Sequence, residues 1–397
     1  MTAMDIPTLF SLLGLFLIIG FIADLAFKKI GIPDLLILIG LGILAGPMLK
    51  LIDPEYIRGF MQILSTLAIA IILFDGGLSF DLKSIISGAS RAAVLALSGF
   101  ILSIISVAGF STLILGWNIY SGVLLGVIVG GTSSAVTIPI VTRLSALDSR
   151  VTSILTLESI LTDVFVVVVG LTLMKMPLSF ADGSIIWALA RETLSCFSIG
   201  CLLGITAGLI WSKILEVIYR EVYRDVLTLS VALLLYGLSE ILGGSGPIAS
   251  LSFGLALRNI GSPWSHPECN VISMDIKTFQ SEISFLMRTF LFVSIGAISV
   301  FDDIGVIITG LAISMILVVA RYLAVKISLL KAPLIIKLKT WTLTIMMGRG
   351  LAAASMASLA FYYHVPNSGE IYGLATSIIL FTVIFSSIGA VFEKLSS

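Results

Sequence analysis

The sequence predicts an all-α membrane protein, and three observations carry that prediction. Apolar residues make up 58% of the 397 and charged residues 12%, with a mean hydropathy of +1.15; a soluble domain carries about half and about a quarter. Apolar runs near the length a helix needs to cross a bilayer, about 20 residues, recur from one end of the chain to the other. Between them no stretch is long enough for a soluble domain. The longest polar one, residues 258–282, reads as a linker with room for an interfacial helix.

Counting the runs gives thirteen transmembrane helices, near 7–27, 34–49, 59–77, 91–115, 119–142, 150–175, 184–212, 225–242, 246–260, 283–300, 303–326, 340–363 and 370–391. The first follows an acidic N-terminus and has no small-residue cleavage site, so it reads as a retained span and not as a signal peptide. The second and ninth are short. The seventh contains Cys196 and Cys201, small residues of an apolar helix. With Cys269 they form no metal-ligand pattern.

Formal net charge is zero, so neither nucleic acid nor an acidic surface is indicated as a partner. The basic residues are unevenly placed. One set of loops holds sixteen, namely Lys28, Lys29, Lys83, Arg91, Arg143, Arg150, Lys213, Arg220, Arg224, Arg258, Lys277, Lys326, Lys331, Lys337, Lys339 and Lys394. The opposite loops hold three, Lys50, Arg58 and Lys175. Basic loops stay cytoplasmic, which puts the N-terminus outside and the C-terminus inside.

The spans divide as six, one and six: a first repeat at about 1–176, a linking helix at about 184–212 and a second repeat at about 225–397. Residues 39–47 (IGLGILAGP) resemble 251–259 (LSFGLALRN), and 73–78 (LFDGGL) resemble 293–298 (VSIGAI). One odd connecting span inverts the second copy in the membrane, the repeat pattern of secondary transporters. The fifth span carries Gly130-Gly131-Thr132-Ser133-Ser134 ahead of Pro139, which lacks an amide donor and crowds the carbonyl of Ala135. The helix is predicted to open around Thr132 to Ala135. The twelfth span has a matching weak point at Gly348-Arg349-Gly350. Interrupted helices at membrane depth are tolerated where protein or a watery cavity satisfies the backbone, and paired breaks mark a binding site.

Asp163 is the most informative residue. It lies in the sixth span ahead of the uninterrupted apolar run Val164–Val169. A charge near the bilayer centre costs roughly 2.5–3.5 kcal/mol and is rarely there without a use. Ser159 shares its helical face one turn earlier and Thr156 two turns earlier. Glu158 lies about 140° around the helix, beside Thr162, so the two acids need not do one job. A carboxylate in low dielectric is relieved either by a proton or by a cation. Asp163 with hydroxyls from Ser159, Thr132, Ser133 or Ser134 makes an all-oxygen set with one negative charge, suited to a monovalent ion. Proton and cation would compete for it. Glu158 reads as structural, with Arg349 the natural partner and Arg288 and Arg321 as alternatives. Asp75 and Glu240 sit near span ends, and His266 and His364 sit in loops, away from this constellation.

Glu158-Ser159-Ile160-Leu161-Thr162-Asp163, following a broken helix with Thr132-Ser133-Ser134, resembles the monovalent cation–proton antiporters of the NhaP and NapA type over essentially the whole chain. The resemblance implies a single transporter domain over 1–397 without a soluble regulatory domain, two crossed discontinuous helices, a homodimer and an elevator-like movement. It implies Asp163 as the carboxylate for ion and proton, Ser159 as a ligand, and Na⁺ held at Asp163, Ser159 and Thr132. Glu158 would pair with Arg349, and Thr162 and Thr156 would lie behind the ligands. NhaP-like members show Thr-Asp-Pro and Asn-Asp where this chain has Thr-Ser-Ser and Thr162-Asp163. The register of the fifth-span ligand, Thr132 or Ser133, stays open, as does Na⁺ against K⁺. Thr162 in place of a second aspartate implies electroneutral exchange. No cofactor is implied beyond the transported Na⁺ (Li⁺ or K⁺ as alternatives) and H⁺, and the membrane is the inner or plasma membrane. The rival classes are a K⁺/H⁺ antiporter, the membrane part of a K⁺ efflux system, and a channel, which would need a pore ringed by oxygens. An intramembrane enzyme would need a base or metal constellation that the spans lack.

Overall fold

The computed structural model describes residues 6–30, 34–52, 54–79, 89–141, 149–175, 184–218, 221–259, 274–298, 304–330, 337 and 339–396. His266, Cys269, Lys83, Arg143, Arg220, Lys331 and most of the 258–282 linker lie outside them. The described residues form helices: α1 (Ile6–Ile30), α2 (Asp34–Ile43, continued by a π-helical turn Leu44–Met48), α3 (Pro54–Ser79), α4 (Ala89–Leu113), α5 (Ile119–Ile128), α6 (Ser134–Val141), α7 (Ser149–Lys175) and α8 (Ser184–Val217). They continue as α9 (Arg224–Ile241), α10 (Gly246–Asn259), α11 (Met274–Ile298), α12 (Ile304–Ser328), α13 (Thr340–Ile345), α14 (Leu351–Tyr362) and α15 (Ser368–Ser396). Among the described residues, seven helices are long and apolar enough to cross a membrane. They lie within α3, α4, α7, α8, α11, α12 and α15.

The helices run where the apolar segments lie, with two differences. α11 starts at Met274, nine residues before the predicted span, because the polar residues Lys277, Gln280 and Ser281 continue the helix without contributing hydropathy. The fifth and twelfth segments are each split in two. The first split spans residues 129–133, earlier than the proline argument places it: α6 runs through position 139, so the glycines and not the proline mark the opening.

The chain divides into two compact units. The first comprises Met1–Ser65, Ser87–Gly170 and Thr289–Ser397; the second comprises Thr66–Ile86 and Leu171–Arg288. In the first unit α4 packs on α5 and α12, and α15 packs on α12 and α14. α2 crosses α11 at a glycine pair: a Cβ on Gly42 would lie 2.8 Å from the Cα of Gly296 and run into the Val293 carbonyl. In the second unit the core forms around Phe74, Leu78, Leu215, Phe253 and Leu257, with the Phe74 and Phe253 rings stacked at 5.3 Å. There α3 crosses α10 at Gly77 and Gly254, where a Cβ on Gly254 would lie 3.1 Å from the Cα of Gly77. At both crossings the missing side chains let backbones approach to a distance that any larger residue would forbid.

Candidate functional site

The site belongs to the first unit, where the two interruptions meet. Residues 129–133 separate α5 from α6, and residues 346–350 separate α13 from α14. The Ser133 amide donates to the Gly348 carbonyl at 2.8 Å. A side chain at 350 would collide with Ser133, whose Cβ is 2.6 Å from the position a Cβ would take. Each break exposes the C-terminal carbonyls of one half-helix and the N-terminal amides of the next, a negative and a positive pole respectively.

Two arginines cover the negative poles. Arg321, from α12, donates Nε to the Leu343 carbonyl at 3.1 Å and Nη2 to the Met346 carbonyl at 3.2 Å, at the end of α13. Arg349, from the second break, donates Nη1 to the Gly130 carbonyl at 3.1 Å, just past the end of α5. Hydroxyls one turn apart on α15 hold the second break itself: Thr382 accepts from the Arg349 amide at 3.1 Å, and Ser386 accepts from Met347 at 3.2 Å and donates to the Ile345 carbonyl.

α7 presents its two carboxylates to the first break. Thr132 lies in the break and Ser134 opens α6, and the two meet different faces of α7. Thr132 engages the face of Glu158 and Thr162: its hydroxyl donates to Glu158 Oε1 at 2.7 Å and lies 3.2 Å from Thr162 Oγ1. Ser134 engages Asp163, whose Oδ2 accepts from the Ser134 amide at 3.1 Å and from its hydroxyl at 2.7 Å. The Asp163 carboxylate thus sits at the positive N-terminal pole of α6, half-buried, with Oδ1 free of protein hydrogen bonds among the described residues.

Glu158 is 1% exposed and is paired with Arg321, not with Arg349. The pair is bidentate, Nη1 to Oε1 at 2.8 Å and Nη2 to Oε2 at 3.1 Å. The physical reason for this correction is position. Arg321 reaches Glu158 from a neighbouring helix with its planar fork aligned to both oxygens, whereas Arg349 emerges beside the end of α5 and is used there. Arg321 carries the same signal as Asp163, a charge within an apolar span (Ile304–Ser328).

The remaining predicted ligands are placed as follows. Ser159 is fully buried and its hydroxyl donates to the Thr156 carbonyl at 2.9 Å. Ser133 faces the second break, and its buried hydroxyl has no hydrogen-bond partner among the described residues. Of Thr132, Ser133, Ser134 and Ser159, the one hydrogen-bonded to Asp163 is Ser134. Thr382 and Ser386 are functional neighbours that sequence reading misses, since hydroxyls in an apolar helix carry no signal of depth or direction.

A family model described as "Sodium/hydrogen exchanger, transmembrane" matches residues 13–393. The chain is 29% identical over 369 residues to a K(+)/H(+) antiporter NhaP2 of Shewanella sp. (strain ANA-3), covering 90% of this chain and 61% of that one. It is 27% identical over 288 residues to a probable Na(+)/H(+) antiporter 2 of Methanocaldococcus jannaschii, covering 68% and 64%. The chain thus spans about three fifths of the length of these relatives. In fold it is similar to the sodium proton antiporter MjNhaP1 from Methanocaldococcus jannaschii at pH 8, with a TM-score of 0.80, 23% identity and 97% of each chain covered.

Proposed function

The chain belongs to the sodium/hydrogen exchanger family, and from that premise we propose that it is a secondary active antiporter exchanging one Na⁺ for one H⁺ at Asp163. The observation that carries this reading is the Asp163 carboxylate itself. One oxygen is anchored at the N-terminus of α6 by Ser134 and the other is open. A proton or a monovalent cation can occupy the open oxygen, and each excludes the other.

The charges around it support electroneutral exchange. Glu158 and Arg321 cancel, and loading Asp163 with either H⁺ or Na⁺ adds the same single charge. Both loaded forms then cross with equal charge, and a one-for-one cycle moves none. The transported ion would be held by Asp163 Oδ1 with hydroxyl and carbonyl oxygens of the first break, Ser134, Ser133 and Thr132, and with Ser159 if its hydroxyl turns from Thr156. Thirteen crossings in two inverted six-helix repeats, a homodimer, an elevator-like movement, and termini outside (N) and inside (C) complete the proposal. The reciprocal glycine crossings, Gly42 with Gly296 and Gly254 with Gly77, support the repeats.

K⁺/H⁺ exchange is the second reading, favoured by the name of the NhaP2 relatives. Proteoliposomes loaded with a pH-sensitive dye test both. An inward Na⁺ gradient should drive protons out, saturably and independently of membrane potential. Potential-driven cation flux without proton movement would overturn the antiporter reading, and a response to K⁺ but not Na⁺ would select the second.

A further inference from the structure

At the end of α14 away from its break, the first unit holds a cavity of about 260 Å³. Met61 and Gln62 from α3, Ser358, Phe361 and Tyr362 from α14, and Tyr372 from α15 line it. Met61, Ser358 and Tyr372 are buried, whereas Tyr362 is 51% exposed and stands at the mouth. Small-molecule sites run from about 300 Å³ upward, so the space suits a compact guest.

The lining defines the chemistry of that guest. Phe361, Tyr362 and Tyr372 are aromatic, and the rings of the first and last are 5.4 Å apart, inclined at 57°. Ring faces and a thioether attract a cation that carries apolar substituents. Among the described residues that line the cavity none is charged, so an anion meets no partner and a cation no rival. The hydroxyls agree. Ser358 has given its proton to the Ala354 carbonyl at 2.9 Å and Tyr372 its own to the Ile295 carbonyl at 3.1 Å, so neither has one left for a ligand. The mouth is at a suitable level. Tyr362 and Tyr363 close α14 edge to face at 5.2 Å, and tyrosines at the end of an apolar span sit among lipid headgroups.

We propose that this cavity binds an organic ammonium group, and that its occupation slows exchange by bracing α14 and α15 against α3. Such a group reaches the headgroup level both on lipids and as a soluble amine. α14 begins at Gly350 in the second break, and Thr382, further along α15 than Tyr372, holds the Arg349 amide. A guest touching these helices therefore restrains the second break from its far end, and Asp163 is not among the residues it meets. Binding stands apart from the antiporter reading; only the effect on exchange rests on it.

The probe is benzyltrimethylammonium, which has no proton to release and so cannot discharge a pH gradient. Neopentylbenzene is its neutral counterpart, with carbon in place of nitrogen. In detergent the cation should raise the melting temperature of wild-type protein saturably. The neutral compound should need at least about fivefold more for half the effect, the factor one cation–π contact carries. Equal concentrations, or no shift with either, would overturn the proposal. Tyr362→Leu should weaken the cation's effect by a similar factor, and Tyr362→Phe, which keeps the ring, should restore it. An unchanged midpoint in folded Tyr362→Leu protein would put the cation elsewhere and overturn the assignment. In proteoliposomes the probe should lower the maximum exchange rate at constant KM for Na⁺. A raised KM alone would mean competition at Asp163 and would also overturn it. Vesicles of phosphatidylcholine and of digalactosyl diacylglycerol, both without net charge, separate the two sources. Weaker inhibition in phosphatidylcholine identifies a lipid headgroup as the natural guest, and equal inhibition a soluble amine. Wild-type protein that binds the probe but exchanges no ion would sink the antiporter reading and leave the site standing.

Discussion

Glu158 and Arg321 meet fork to fork, two parallel hydrogen bonds of 2.8 and 3.1 Å between side chains that are 1% and 3% exposed. The same guanidinium reaches two carbonyls at the end of α13, and the same carboxylate takes the Thr132 hydroxyl. Four elements, α7, α12 and the two breaks, are tied at one point.

Breaking this pair should be the most destabilising charge change in the site. Removing one partner of a buried pair costs about 3–5 kcal/mol, because the other is left unpaired in low dielectric. Arg321→Ala should lower the melting temperature in detergent well below that of Arg349→Ala, which loses a single hydrogen bond to Gly130 worth about 1.5–3 kcal/mol. Equal losses, or a larger one for Arg349→Ala, would return Glu158 to Arg349.

Asp163→Asn should abolish exchange and leave melting nearly unchanged. The amide keeps the shape and an oxygen for Ser134, and removes the charge that a cation or proton answers. Retained exchange in folded Asp163→Asn protein refutes the assigned role.

Ser134→Ala should raise the apparent KM for the cation roughly tenfold, since a hydrogen bond to a charged group is worth about 1.5–3 kcal/mol and this one orients the carboxylate. The Ser134 amide remains, so exchange at saturating cation should persist. Direct flux titration reads the difference between a raised KM and a lost maximum rate.

Gly350→Ala should disrupt the crossing, because the new Cβ collides with Ser133 and the backbone beneath it is pinned by the Ser133 to Gly348 hydrogen bond. Adding Ser133→Gly should recover part of the lost stability. No recovery in the double variant would mean that the strain lies elsewhere.

Much of this arrangement is legible in the sequence, for stated reasons. An acid in an unbroken apolar run has few bland explanations, so Asp163 stands out without any structure. The match of residues 39–47 to 251–259 puts Gly42 opposite Gly254 in register, and these are the residues found at the α2–α11 and α3–α10 crossings. The companion match is one residue off: it pairs Gly76 with Gly296, whereas Gly77 occupies the equivalent contact. Glycine-rich apolar helices offer little to fix register to a single residue. The partner of Glu158 is not legible, since Arg288, Arg321 and Arg349 are equally buried by composition and only helix packing chooses among them. Nor is the division of labour within Thr132-Ser133-Ser134. Three adjacent hydroxyl residues look alike until the break's backbone sends one to Glu158, one to the second break and one to Asp163.

Competition between cation and proton for one carboxylate is tested most directly by the apparent KM for Na⁺ across a pH series in proteoliposomes. It should rise steadily as the medium is acidified, with the maximum rate at saturating Na⁺ unchanged over that range. A KM that holds constant while the maximum rate falls would show that the two ions do not share Asp163.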